Sequence, residues 1–214
     1  MPFTIIHRHD WPRNEIFTYY LTQVPCQYSM TVSMDITGLM LRKRKLYPSM
    51  LYALATVINR HEEFRMAFNE HGELGFWDEV WPCYTLFHPE NETFTDIWSE
   101  YSEDFFVFYA MVTEDMERYR HVTGHLKAKD GQPPHICPVS SVPWLAFTHF
   151  AQDSYAESNF LSPLIKFGKY EARGEKIVIP VSVSVHHAVA DGFHTCRLIN
   201  DMQEMASFPE RYLS

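Results

Sequence analysis

Residues 177–194 read Ile-Val-Ile-Pro-Val-Ser-Val-Ser-Val-His-His-Ala-Val-Ala-Asp-Gly-Phe-His. Side chains of a strand alternate between its two faces. Ile177, Ile179, Val181, Val183, Val185 and His187 therefore share one face, while Val178, Ser182, Ser184 and His186 share the other. This pattern predicts a strand over 177–187 whose apolar face ends in His187 and whose more polar face ends in His186. Asp191-Gly192 closes the strand. Phe193, Cys196, Ile199, Met202 and Ala206 follow at helical spacing and predict a C-terminal amphipathic helix.

Upstream, Asp10, Pro12, Glu15, Phe17 and Tyr20 have the layout of a capped first helix. Residues 29–36 alternate as a strand. Pro48 opens a helix with Leu51, Leu54, Val57 and Ile58 on one face. Residues 64–68, the turn Asn69-Glu70-His71-Gly72 and residues 74–77 predict a β-hairpin. Residues 84–87 read as a short strand, 104–120 as a long helix, 127–138 as a loop and 143–147 as another strand. Residues 157–170 fit neither period, because Pro163 interrupts them. With no repeat or linker, residues 1–214 are expected to form one α+β domain, a two-layer sandwich of helices packed on a mixed sheet.

The formal net charge of −9 opposes nonspecific nucleic-acid binding, which needs clustered Lys and Arg. Arg42, Lys43, Arg44 and Lys45 form the one basic cluster, read as a solvated helix end or loop, or alternatively as a phosphate contact for a nucleotide-bearing cofactor. Cys26, Cys83, Cys137 and Cys196 lie far apart with no CxxC pair, which suits reduced thiols rather than a disulfide framework or a zinc set. The 12 histidines show no metal-ligand spacing either, so no bound metal is expected. The N-terminus lacks a signal-peptide layout, and no stretch is long enough to span a bilayer. The expectation is a soluble cytoplasmic protein with neither membrane nor nucleic-acid partner.

An imidazole at the end of a buried strand is suited to general-base catalysis, since it titrates near neutrality. The alternative is a core histidine satisfied by a backbone carbonyl. Asp191 stands where a helix N-cap belongs. Its carboxylate could also orient the imidazole, or brace the loop through a distant cation, and the spacing leaves these open. On residue type alone Arg13 is an exposed helix residue, Ser140 and Ser141 are equivalent loop serines, and Tyr170 and Trp144 are core.

The run His186-His187-Ala188-Val189-Ala190-Asp191-Gly192-Phe193-His194 resembles the HHxxxDG signature of CoA-dependent acyltransferases, specifically that of the chloramphenicol O-acetyltransferases. Other segments are similar to that family in the same order. They include Trp11-Pro12-Arg13-Asn14-Glu15-Ile16-Phe17, Pro25-Cys26-Gln27-Tyr28-Ser29, Thr85-Leu86-Phe87-His88, Ser140-Ser141-Val142-Pro143-Trp144 and the stretch 163–170. The resemblance implies a homotrimer with each active site between neighbouring subunits, and acetyl-CoA as co-substrate with no tightly bound cofactor. It implies that His187 is the base, that Ser140 stabilises the oxyanion, and that Arg13 and Asp191 form an ion pair bracing the loop. It places Tyr170, Trp144 and Lys169 along the CoA channel. Tyr20, Val24, Tyr28, Thr85, Phe94, Phe150, Gln152 and Lys166 fall at acceptor-pocket positions. Gln152 and Lys166 depart from the family, which carries an apolar and a small hydroxyl residue there, and Ala190 replaces a cysteine.

The reaction implied is acetyl transfer from acetyl-CoA to a hydroxyl of a small-molecule alcohol such as chloramphenicol, without a covalent acyl-enzyme. The rival readings are a same-fold enzyme for another hydroxyl acceptor, the acyltransferase core of a 2-oxo acid dehydrogenase, and a non-catalytic small-molecule-binding trimer. The favoured expectation for Lys166 is that it snorkels, its ammonium reaching the wet rim while its stem covers apolar wall. The alternative is that it faces inward and selects an acceptor bearing a carboxylate or several oxygens.

Overall fold

The computed structural model describes residues 1–152 and 159–213. Its elements are β1 (Phe3–Ile5), α1 (Asn14–Thr18), β2 (Gln27–Asp35), α2 (Thr37–Leu41), α3 (Leu46–Asn59), β3 (Met66–Phe68), β4 (Leu74–Trp77), β5 (Trp81–His88), β6 (Thr93–Trp98), α4 (Phe105–Tyr119), β7 (Ile136–Ser141), β8 (Leu164–Phe167), β9 (Glu171–Arg173), β10 (Lys176–His186) and α5 (Gly192–Ser207). β1, β4 and β3 make a small sheet. The main sheet runs β2-β10-β8-β7-β5-β6, with β9 also on β10. It is mixed, because β5–β7 and β7–β8 are parallel and the other pairs antiparallel.

One row of side chains crosses this sheet through Met30, Val183, Ile165, Val139, Tyr84 and Ile97. These residues join Leu51, Leu54, Val57 and Ile58 of α3, Phe105, Phe108 and Val112 of α4, and Leu198 and Met202 of α5 in one core. Burying apolar area at about 25 cal/mol per Å2 makes this row the main adhesive between the layers. The neighbouring row has the opposite parity and reads Thr31, Ser182, Lys166, Ser140. The face of the sheet away from the helices is thus lined with hydroxyls and one ammonium.

Several elements differ from the sequence reading. The first helix starts at Asn14 and has no side-chain cap. Asp10 sits in a turn instead, its N–H bonded to His7 O. The helix widens into a π turn over Tyr19–Gln23, closed by Val24 N donating to Tyr19 O at 3.0 Å. Residues 143–147 form no strand. The strand lies earlier, at β7, whose first three residues fall in the stretch read as a loop, and its last ladder bond is Val142 N to Phe167 O. Pro143 has no N–H with which to continue it. The chain folds back so tightly that a Cβ on Gly168 would stand 2.5 Å from Pro180 Cγ and 2.8 Å from the Phe147 ring. β8 lies within the ambiguous 157–170 stretch, beginning just after Pro163, while residues 157 and 158 lie outside the described residues. Arg44 lies over the rings of Phe105, Phe106 and Tyr109, and Arg42 is 3.8 Å from Glu210, which gives the basic cluster structural work.

His135 is 6% exposed and packs against Trp77 and Trp81, and neither ring nitrogen has a hydrogen-bond partner among the described residues. Burial, with a smaller contribution from the N-terminal ammonium, pulls its pKa below the ordinary imidazole range. The unfolded chain therefore takes up this proton first, so stability is full above about pH 6.5 and declines as pH falls through it. His186 is lowered by burial and by His187, and contributes with the same sign. The melting temperature is expected to drop between about pH 7.5 and about pH 5.5, and to drop less in His135→Phe. Equal drops in both proteins would contradict this account.

Candidate active site

The ladder between β10 and β2 ends at the pair His186–Gln27. His187 is the first residue past it, and its N–H donates to Cys26 O at 3.0 Å. Val189 and Ala190 N–H groups turn back onto His186 O at 3.1 and 3.3 Å. Ala188, Val189 and Ala190 are at most 1% exposed, so the turn is sunk into the core and only small residues suit it. His186 is itself buried, its Nδ1 accepting from Ala188 N at 3.2 Å. The more polar face of the strand is therefore no wetter at this end than the apolar one.

The His187 ring is held by aromatic contacts. Tyr20 stacks on it at 3.9 Å and 8°, and Tyr28 meets it edge-on at 5.2 Å. Tyr28 is fixed in turn by a 2.7 Å hydrogen bond between its hydroxyl and Thr195 Oγ1 on α5. His187 Nδ1 is buried and has no hydrogen-bond partner among the described residues.

Asp191 caps α5. Its Oδ1 accepts from Phe193 N at 3.0 Å and lies 2.8 Å from His194 Nδ1, while Oδ2 accepts from Arg13 Nη1 at 3.0 Å. Both oxygens are thereby occupied, with no contact to His187 among these bonds, so the carboxylate braces the turn and does not orient the imidazole. Burial alone would push its pKa up, but the bonds from Arg13 and His194 outweigh that and hold it at about 2.

Ser140, Lys166, Phe150 and Thr85 lie elsewhere, on the open face of the sheet. Ser140 neighbours Lys166 across β7–β8, and Lys166 neighbours Ser182 across β8–β10. Phe150 is pinned above this row, its carbonyl accepting from Ser182 Oγ at 2.6 Å and its N–H donating to Thr31 Oγ1 at 3.3 Å. Thr85 Oγ1 accepts from Ser141 N at 3.5 Å. Lys166 does not reach the rim. It is 2% exposed, its Nζ 3.5 Å from Ser184 Oγ and 5.4 Å from the centre of the Phe150 ring. The snorkelling expectation is corrected accordingly.

The remaining positions are exposed. Trp144 is 59% and Tyr170 49% exposed, which removes the core reading of both, and Lys169, Gln152, Val24 and Phe94 are also exposed. Trp144 meets Phe87 edge-on at 4.6 Å. Among the described residues no group of three His, Cys, Asp or Glu could hold a metal ion.

The candidate residues thus form two patches. Ser140 stands two strands from β10, and His187 lies five residues beyond Ser182 along it, a separation of roughly 20 Å at ordinary strand spacing and rise. One copy of the chain does not bring His187 and Ser140 together. Sequence reasoning missed His194, whose spacing of three from Asp191 is that of a capping partner. It also missed the hydroxyl floor, although Ser29 with Thr31 and Ser182 with Ser184 alternate plainly.

The Asp191 contribution to stability has a defined pH window. With a folded value of about 2 against an ordinary 3.8, it is complete above about pH 4 and lost as pH falls towards 2. The gap in melting temperature between the wild type and Asp191→Asn should narrow steadily from about pH 5 to about pH 3. A gap of constant width over that range would contradict the ion-pair account.

Comparison with known proteins gives a consistent answer. Residues 1–203 match the family model for chloramphenicol acetyltransferase. A chloramphenicol acetyltransferase of Clostridium perfringens is 45% identical, over 100% of this chain and 99% of that protein. A solved chloramphenicol acetyltransferase shares the fold with a TM-score of 0.82, at 23% identity over 96% of this chain and 100% of that one. The dihydrolipoamide acetyltransferase of Azotobacter vinelandii shares it more loosely, with a TM-score of 0.68 at 15% identity over 100% of this chain and 93% of that one. The chain belongs to the chloramphenicol acetyltransferase family.

Proposed function

We propose that this protein transfers an acetyl group from acetyl-CoA to a hydroxyl of chloramphenicol, using His187 as general base. The observation that carries the reading is the His187 ring, clamped between Tyr20 and Tyr28 with Nδ1 buried, which leaves Nε2 for an incoming hydroxyl. Nε2 takes the hydroxyl proton as the oxygen attacks the thioester carbonyl. The tetrahedral oxyanion accepts a hydrogen bond from Ser140 Oγ and then collapses. The carbon–sulfur bond breaks, and the departing thiolate takes the proton back from His187, giving acetyl ester and free CoA. Asp191 and Arg13 position the loop without touching the reacting atoms.

The two patches support a homotrimer in which the His187 patch of one copy meets the Ser140 patch of the next. A ring of head-to-tail contacts pairs unlike surfaces in this way. The exposed Trp144 and Tyr170, with Lys169 beside them, suit the pantetheine and nucleotide portions of CoA. Tyr20, Tyr28, Val24, Thr85, Phe94, Phe150, Gln152 and Lys166 would surround the acceptor once two copies meet. A cytoplasmic location is supported by four free cysteines and by the absence, among the described residues, of any helix able to cross a membrane.

CoA release with chloramphenicol as acceptor, followed by thiol detection, tests the reading. His187→Ala should lower turnover by roughly 10²- to 10⁴-fold. Ser140→Ala should lower it by roughly 10²- to 10³-fold with little change in KM, while Ser141→Ala should be nearly silent. Near-wild-type turnover in His187→Ala would refute the mechanism, and an equal loss in Ser141→Ala would move the oxyanion donor to that residue.

A further inference from the structure

Thr195 is the fourth residue of α5, and its side chain is fully buried. A buried hydroxyl is costly unless it is hydrogen-bonded. A valine would fill the same branched shape at no lower helix propensity. Within a helix such a hydroxyl commonly bonds back to a carbonyl one turn earlier. Here it reaches across to another element instead and meets the Tyr28 hydroxyl at 2.7 Å. The Thr195 backbone is fixed independently, its N–H donating to Asp191 O at 3.0 Å. The threonine is therefore a rigid post at the start of α5, with its hydroxyl committed to one tyrosine.

Tyr28 needs that post. Its backbone is set by pairing with Val185, one step before the β2–β10 ladder ends at Gln27–His186. Pairing leaves the side chain free to turn about its own bonds, and the residue is only half-buried. The bond to Thr195 tethers the far end of the ring. Tyr20, stacked on His187 at 3.9 Å and 8°, fixes the plane of the imidazole but lets it slide across the stack. Tyr28 stands edge-on at 5.2 Å and 67° and blocks that slide. Small misplacements of a reacting group are costly even when their source lies away from the chemistry. We propose that Thr195 is a positioning residue of the active site, its hydrogen bond to Tyr28 holding the His187 ring where Nε2 meets the acceptor hydroxyl. This inference rests on the His187 general-base reading and adds to it a residue that acts through another.

Three variants test it. Thr195→Val removes the hydroxyl and keeps the branched shape, Thr195→Ser keeps the hydroxyl, and Tyr28→Phe removes the same bond from the other side. CoA release with chloramphenicol gives kcat and KM, while melting temperature and native mass report folding. The ring signals of His187 in protein carrying isotope-labelled histidine, assigned with His187→Ala, report where the imidazole sits. Thr195→Val should lower kcat by roughly three- to ten-fold, the usual worth of one hydrogen bond, with KM for acetyl-CoA unchanged. It should also shift the His187 ring signals. Thr195→Ser should keep wild-type kcat and signals. Because both substitutions break one bond, Thr195→Val with Tyr28→Phe should be no slower than the slower single variant. Wild-type kcat and ring signals in folded Thr195→Val or folded Tyr28→Phe would overturn the proposal. So would an equal loss in Thr195→Ser, or losses that multiply in the double variant. If the wild type releases no CoA with chloramphenicol, the acetyl-transfer reading falls, and the ring signals still decide whether Thr195 holds His187.

Discussion

Three segments meet at Asp191, one of them distant in sequence. Arg13 reaches it from the N-terminal segment, the turn 187–190 leads into it from β10, and α5 begins on it. Arg13 has few other attachments, since its Nε and Nη2 are buried with no hydrogen-bond partner among the described residues. A single carboxylate therefore satisfies one cation, one helix N-terminus and one histidine. α1 has no side-chain cap, since the guanidinium of Arg13 carries no acceptor for the first helical N–H groups. Loss of either member would leave a part-buried charge without its partner.

The position of His187 follows from this anchoring. The turn is held at one end by Asp191 and at the other by the bond from His187 N to Cys26 O. Between those two points the imidazole has little freedom, and Tyr20 and Tyr28 remove the rest by ring contact. Tyr20 comes from the π turn that follows α1, so Arg13 positions the His187 ring twice. It fixes the turn through Asp191 directly, and it belongs to the segment that delivers the stacking ring. The π turn itself is the kind of helix irregularity that recurs at functional sites.

Much of the fold was readable from alternation alone. Val181, Val183 and Val185 marked the longest strand, and Leu51, Leu54, Val57 and Ile58 marked the face of α3 that joins the same core. β6 and β7 escaped because they are mixed in polarity. In β7, Cys137 and Val139 are buried while Pro138 and the serines interrupt the apolar signal. Of the site, His187 and Asp191 stood out by position, but Arg13 and Ser140 gained meaning only from family likeness. No local pattern could tell that Arg13 reaches a carboxylate 178 residues away. The burial of Lys166 was also out of reach, since a lone lysine in a short strand carries no local sign of being buried.

The central claim is that the base and the oxyanion donor of one active site belong to different copies of the chain. Co-expressing His187→Ala and Ser140→Ala chains under separate tags, and isolating the oligomers that carry both, tests it directly. Each variant alone should be nearly inactive. In a head-to-tail trimer that carries both variants, one of the three interfaces pairs an intact His187 with an intact Ser140, so the isolated mixed oligomers should recover about a third of wild-type CoA release. Mixed oligomers no more active than the two variants measured apart would place both residues in one subunit and contradict the account.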